Sequence, residues 1–152
     1  PPEPSVVLHN RASSSPLTVG HPNHVAPGKR PMHTIIPGMV VKAGRAAMSF
    51  GVMGGHYQAI GQASFISKVY DYGMQMQRAM NLPRVFPLPG TAQVEYELTM
   101  DPQAIADLKD MGYEMVRPLR PIGGAQAISI DWNNGVLIGA SDPRKDGCAL
   151  GY

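Results

Sequence analysis

The sequence predicts an α+β domain. Its strand-like runs come mostly in hairpins, its helical runs are grouped between them, and no βαβ alternation or internal repeat is present. Hairpin-connected strands with clustered helices argue for antiparallel sheets, whereas a doubly wound parallel sheet requires strands that alternate with helices. At 152 residues the chain is long enough for one domain with a real core. The reading is therefore a single domain over 1–152.

The elements follow from local signals. Val6, Val7 and Leu8, bounded by prolines and Asn10, suit a strand over 5–9. Residues 10–37 are an irregular stretch rich in Ser, Pro, His and Gly, and an irregular segment of that length is usually either disordered or functional. Residues 39–41 and 46–50 flank Lys42-Ala43-Gly44-Arg45 and read as a hairpin whose second strand is buried. A helix over 56–72 stops at Gly73, with Ala59, Ala63, Ile66 and Tyr70 as its apolar face. A short helix over 75–81 ends before Pro83, because the residue before proline is pushed out of the helical region. Residues 86–90 read as a proline-rich connection, and 92–98 as a strand with Val94, Tyr96 and Leu98 on one side. Asp101-Pro102 is an N-cap followed by proline at the first helical position, with Ile105, Leu108 and Met111 as a narrow stripe. A brief strand over 114–116 follows. Residues 125–131 and 136–140 are strands around Asn134-Gly135, a pair suited to a type I′ turn, and Ile128 and Ile130 share one strand face. Ser141-Asp142-Pro143-Arg144 closes this hairpin with a capped turn in which Arg144 pairs with Asp142 or Asp146.

Composition excludes several classes of function. The formal net charge is +2 and only 16% of residues are charged, with no basic face or run, so this is no nucleic-acid footprint. No apolar stretch approaches a membrane span, and no signal-peptide pattern is present. The single cysteine, Cys148, excludes an internal disulfide framework.

Candidate chemistry concentrates at two places. In Gly51-Val52-Met53-Gly54-Gly55-His56, a strand turns into a helix through two residues without Cβ atoms. Bare amides at a helix start bind anions, and in acyl transfer that anion is the oxyanion of a tetrahedral intermediate. The alternative is a tight strand-to-helix connection and nothing more. In Ala26-Pro27-Gly28-Lys29-Arg30-Pro31 a fixed bend presents two adjacent cations, either to a carboxylate or simply to solvent. His21-Pro22-Asn23-His24 has a metal-compatible spacing, but no Cys or acidic cluster completes a shell, so a polar turn is the expected structure.

Several motifs in order carry a resemblance over almost the whole chain. They are Asn10-Arg11, His21-Pro22-Asn23, Ala26-Pro27-Gly28-Lys29-Arg30-Pro31, Gly51-Val52-Met53-Gly54-Gly55, Asp71-Tyr72-Gly73, Ala79-Met80-Asn81-Leu82-Pro83-Arg84 and Gly139-Ala140-Ser141-Asp142-Pro143-Arg144. From about Ser5 to Tyr152 the chain resembles the small subunit of γ-glutamyltransferases and the related glutaryl- and cephalosporin-acylase-like branch. The resemblance implies an N-terminal-nucleophile hydrolase αββα sandwich with mostly antiparallel sheets, incomplete here because the first strands align upstream. It also implies a precursor cut into a large and a small subunit, whose newly exposed threonine attacks a γ-glutamyl or related acyl group with its own α-amine as base. The acyl group then passes to water or an amine. No cofactor or metal is implied; the implied partners are the large subunit and a small-molecule acyl substrate.

By this similarity Gly54 and Gly55 hold the oxyanion, His33 and Thr34 match two serines that hold the substrate carboxylate, and Ser14 falls where γ-glutamyltransferases keep an aspartate for the substrate ammonium. Arg11 adds a cation near that position. The exchange of an aspartate for Ser14 beside Arg11 leaves the glutathione-cleaving and the glutaryl-acylase branches both open. The matching nucleophile lies upstream of Pro1, so the chain alone is expected to be inactive. A non-catalytic carboxylate-binding homologue is the competing class. A sheet without its first strands exposes an edge and an apolar face, which predicts association with a partner chain or with itself.

Overall fold

The computed structural model describes residues 10–151, which leaves the expected strand over 5–9 and His9 outside the described residues. The chain divides into two compact units, Pro1–Thr34 and Ile35–Tyr152.

In the first unit the described residues are turns, as the Pro/Gly/Ser content predicts. Arg11–Ser14 form one 3-10 turn. At Ala26-Pro27-Gly28-Lys29 the Lys29 N–H donates to the Ala26 carbonyl at 3.3 Å and Gly28 has φ +70°, the geometry of a type II turn with proline at its second position.

The second unit contains, in order, β1 (Gly38–Lys42), β2 (Arg45–Met53), α1 (Tyr57–Tyr70), α2 (Met76–Asn81), β3 (Val85–Pro87), β4 (Gln93–Tyr96), α3 (Pro102–Asp110), β5 (Glu114–Val116), β6 (Gly124–Asp131) and β7 (Val136–Ser141), then a 3-10 turn at Pro143–Lys145. One sheet has the antiparallel order β1-β2-β6-β7. The expected first hairpin closes on two residues, Ala43 and Gly44, both at positive φ. The second closes differently from expectation. Asp131 pairs with Val136 across a four-residue loop, and Asn134 is not at positive φ. The Asp131 carboxylate is the cause: it accepts from the N–H groups of Asn133 at 2.9 Å and Asn134 at 3.2 Å and from the Asn134 side chain at 2.7 Å, an arrangement that replaces the type I′ turn.

Helices α1 and α2 cover one face of this sheet, burying Met48, Val52, Tyr57, Phe65, Ala79, Met80, Ala125, Ala127 and Ala140. The buried stripe of α1 is Tyr57, Gly61 and Phe65, in place of the expected Ala59, Ala63, Ile66 and Tyr70, of which Ala59, Ala63 and Tyr70 are exposed. Contact with the sheet sets this rotation. A Cβ at Gly61 would lie 2.8 Å from Cγ1 of Val52, so glycine is what lets helix and strand close. Ile128 points the other way, on the row Met39, Ser49, Ile128, Gly139. That outer face also carries Met53, Ile130 and Leu137; Met39, Met53, Ile128 and Leu137 are exposed and Ile130 is half-buried.

The smaller sheet has the order β3-β4-β5. Residues 85–87 are a strand where a connection was expected; β3 is an edge strand ending at Pro87, a position where the missing N–H costs no ladder bond. β4 and β5 are parallel, joined through α3, so the unit contains one βαβ crossing among its hairpins. Leu98 falls beyond β4 and is exposed. Asp101 caps α3 as predicted, accepting from the Gln103 N–H at 3.0 Å. Since α3 buries no residue fully, its cap is a large share of its local stability. Asp101→Ala is expected to lower unfolding stability by about 1 kcal/mol, measured as a shift in urea midpoint at unchanged m-value.

Candidate functional site

β2 ends at Met53, and the chain turns into α1 through Gly54 at φ +141° and Gly55 at φ +60°. The carbonyls of these glycines accept the first helical bonds, from Tyr57 and Gln58, each at 3.1 Å. Their own N–H groups donate to no acceptor among the described residues. The turn thus presents two consecutive unpaired amides at the start of a 14-residue helix, the arrangement the sequence suggested.

The turn is held by close backbone packing. A Cβ on Gly54 would lie 3.0 Å from the Gly123 Cα, and one on Gly123 would lie 2.4 Å from Cδ1 of Tyr57 and 2.8 Å from the Met53 carbonyl. The Tyr57 ring, seated between Gly54, Gly61 and Gly123, meets Phe86 edge-on at 5.6 Å. Burial raises the pKa of its hydroxyl above the ordinary tyrosine value.

Sequence reasoning missed the cluster that anchors Gly123. Asp142, with no exposed surface, pairs with the Arg84 guanidinium and accepts from the N–H groups of Ala125 at 2.8 Å and Arg144 at 3.0 Å. Arg84 also donates to the Ile122 carbonyl at 2.7 Å. One carboxylate–guanidinium pair therefore grips the backbone on both sides of Gly123-Gly124. Burial pushes the Asp142 carboxyl up, but the N–H groups of Arg144 and Ala125 and the Arg84 charge outweigh it and hold the pKa below the ordinary carboxylate value. Arg144 reaches Glu97 with two bonds, 2.6 and 2.5 Å, and the carbonyls of Met80 at 2.7 Å and Leu82 at 3.0 Å. Its contact with Asp142 is 3.3 Å, and Asp146, the other partner considered, is not engaged. The Glu97 bonds hold the Arg144 pKa above its ordinary value. Both arginines and Asp142 lie in the motifs that carried the resemblance, which was the available signal.

The remaining predicted site residues belong to the first unit. Arg11 donates to the Thr34 hydroxyl at 2.8 Å, bringing two of them together across 23 residues. Ser14 is half-buried at the end of the 3-10 turn, and His33 is exposed beside Thr34. Lys29 donates to the Pro22 carbonyl, and the His21 ring accepts from the Asn23 N–H at 3.0 Å, the polar turn expected there. No group of three metal-ligating side chains occurs among the described residues. None of the helices described is long and apolar enough to cross a membrane.

A model of the γ-glutamyltranspeptidase family matches residues 5–152. The chain is 38% identical to a glutathione hydrolase-like proenzyme, YwrD, of Bacillus subtilis, an alignment covering 96% of this chain and 29% of that protein. Among solved structures, the cephalosporin acylase from Bacillus halodurans is 34% identical with a TM-score of 0.81, covering 94% of this chain and 27% of that one. The γ-glutamyltranspeptidase from Pseudomonas nitroreducens complexed with L-DON is 26% identical with a TM-score of 0.77, covering 86% of this chain and 68% of that one. The chain thus spans less than a third of the length of its YwrD relative. Its α+β architecture, with helices packed on antiparallel sheet, is part of the N-terminal-nucleophile hydrolase fold. A whole-chain family match and two structural likenesses at this identity agree: the chain belongs to the γ-glutamyltranspeptidase family.

Proposed function

We propose that this chain is the C-terminal part of the small subunit of an N-terminal-nucleophile acyltransferase or amidase. The observation that carries the reading is the pair of unpaired amides at Gly54 and Gly55, fixed at positive φ at the start of α1. In this reading a threonine from the upstream segment adds to the acyl carbonyl, its α-amine taking the hydroxyl proton. The two amides donate to the oxyanion as it forms, and because the turn is already folded they need no reorganisation. Collapse expels the amine, which takes the proton held by the threonine's α-amine, and leaves an acyl-enzyme whose acyl group passes to water or an amine acceptor. The large subunit of the same precursor is the proposed partner, and no metal or cofactor takes part.

Arg11, Ser14, His33 and Thr34 are the proposed substrate-binding residues. The Arg11–Thr34 bond sets a cation at the hydroxyl proposed to bind the substrate carboxylate. A guanidinium in that position, with serine at 14, favours an acyl group ending in a carboxylate without a neighbouring ammonium. This supports a glutaryl-type acylase as the second reading beside γ-glutamyl transfer.

The test is intact mass and amide hydrolysis of the full-length gene product, with γ-glutamyl and glutaryl anilides side by side. Self-cleavage into two fragments with turnover of either anilide is expected, and Arg11→Met is expected to lower kcat/KM for the glutaryl substrate by about tenfold, the loss of one charge-assisted contact. An uncleaved, inactive product would overturn the enzyme reading and leave a carboxylate-binding homologue.

A further inference from the structure

The residue after Arg144 takes no part in the ion pairs that anchor Gly123, yet its side chain lies beside the same backbone. Lys145 ends the 3-10 turn that Asp142 caps, and its stem runs across the first residue of β6: a Cβ on Gly124 would lie 2.4 Å from Lys145 Cγ, 3.4 Å from Cε and 3.5 Å from Cβ. Gly124 is buried and Lys145 is exposed, so the missing Cβ at 124 leaves a slot in which the lysine stem rests. Gly124 is the cross-strand partner of Met53, the last residue before Gly54, and it follows Gly123, whose Cα stands 3.0 Å from where a Cβ on Gly54 would be.

These contacts place the charge. The ammonium is one bond beyond Cε, within about 5 Å of the Cβ position on Gly124, and one strand spacing and one residue further put it on the order of 10 Å from the Gly54 amide. It makes no hydrogen bond or ion pair with any described residue, and Asp146, its neighbour in sequence, does not engage it. A lysine laid across backbone has already given up part of the rotamer freedom that a solvated lysine keeps, so its charge is offered at a restricted place and less is lost when a ligand takes it. At that distance it cannot reach the acyl carbonyl. It can reach a group two or three bonded units away, because extended chain spans about 3.3–3.6 Å per residue. The acyl half of the substrate has its proposed partners in Arg11, Ser14, His33 and Thr34; the amine half has none.

We propose that Lys145 reads the amine half: its ammonium binds the carboxylate of a leaving amine that is an amino acid or short peptide, and the carboxylate of the same class of amine when it returns as acyl acceptor. The inference rests on the reading of Gly54 and Gly55 as the oxyanion site. It makes Lys145 a specificity residue, with no part in proton transfer or in bonding to the acyl group.

The experiment measures kcat/KM of the full-length protein for two amides of its preferred acyl group, the N-acylglycine and the N-acylglycinamide, which differ only in the carboxylate of the leaving amine. Wild type is expected to favour the N-acylglycine by about five- to tenfold. That preference is expected to collapse in Lys145→Met, which keeps an unbranched stem over Gly124, and to be largely retained in Lys145→Arg. No preference in wild type, or the same preference in Lys145→Met, overturns the proposal; should the methionine variant fail to fold, the wild-type ratio decides by itself. Turnover of a γ-glutamyl or glutaryl anilide separates the two readings. A wild type that cleaves an anilide but ignores the glycine carboxylate removes the role of Lys145 alone, whereas a wild type inactive on every amide overturns the catalytic reading and this one with it.

Discussion

Asp142→Asn is expected to lower unfolding stability by about 3–5 kcal/mol, the largest single effect among substitutions outside the glycine turn. The carboxylate has no exposed surface and satisfies two backbone N–H groups as well as the Arg84 guanidinium, which is itself 6% exposed at its side chain. Asparagine offers one acceptor oxygen and turns an NH2 group toward donors, while Arg84 stays buried with no countercharge. Total stability of a domain this size is typically 5–15 kcal/mol, so the variant is expected to unfold at much lower urea. The pH dependence follows from the direction of the shift. The folded-state pKa of Asp142 lies below its unfolded value, so its contribution is fully present above about pH 4 and is lost as pH falls through the lower folded-state pKa. Wild type and variant are therefore expected to differ most near neutral pH and to converge in acid, read from urea midpoints across the range. A difference below about 1 kcal/mol at pH 7 would mean that the cluster is no more than a surface-like ion pair.

Gly54→Ala is expected to reduce kcat of the full-length protein on its preferred anilide by about 10²-fold or more, with little change in KM. At φ +141° an L side chain is strained, and the added Cβ would press on the Gly123 backbone at 3.0 Å. Gly123 cannot yield readily, because Ile122 and Ala125 on either side of it are bonded to Arg84 and Asp142. The turn itself must shift, and its amides with it; removing one oxyanion donor elsewhere costs about 3 kcal/mol. Gly55→Ala is the control. Gly55 has φ +60° with nothing within 4 Å of an added Cβ, so its cost is limited to left-handed strain of about 1–2 kcal/mol. Full turnover in Gly54→Ala would remove its amide from the mechanism.

The sequence by itself determined what depends on neighbours along the chain. The β1–β2 hairpin, the bend at Pro27-Gly28, the strand-to-helix turn at Gly54-Gly55, the α2 stop before Pro83 and the Asp101 cap all rest on φ preferences and side-chain-to-backbone bonds within a few residues, and each was legible. The order of the short motifs was equally legible, and it carried the family. Only the tertiary structure decided which apolar face each element buries. Tyr57, Gly61 and Phe65 won over Ala59 and Ala63 because α1 is rotated to fit Val52 and the glycine at 123, a contact that no periodicity within the helix encodes. Strand β3 and the parallel β4–β5 pair likewise exist because a partner strand was available. The Arg84–Asp142 pair joins residues 58 apart in sequence, and Arg144–Glu97 joins residues 47 apart. Local pattern is silent on such pairs, since burial, which makes them necessary, is set only when the helices and the two sheets close around them.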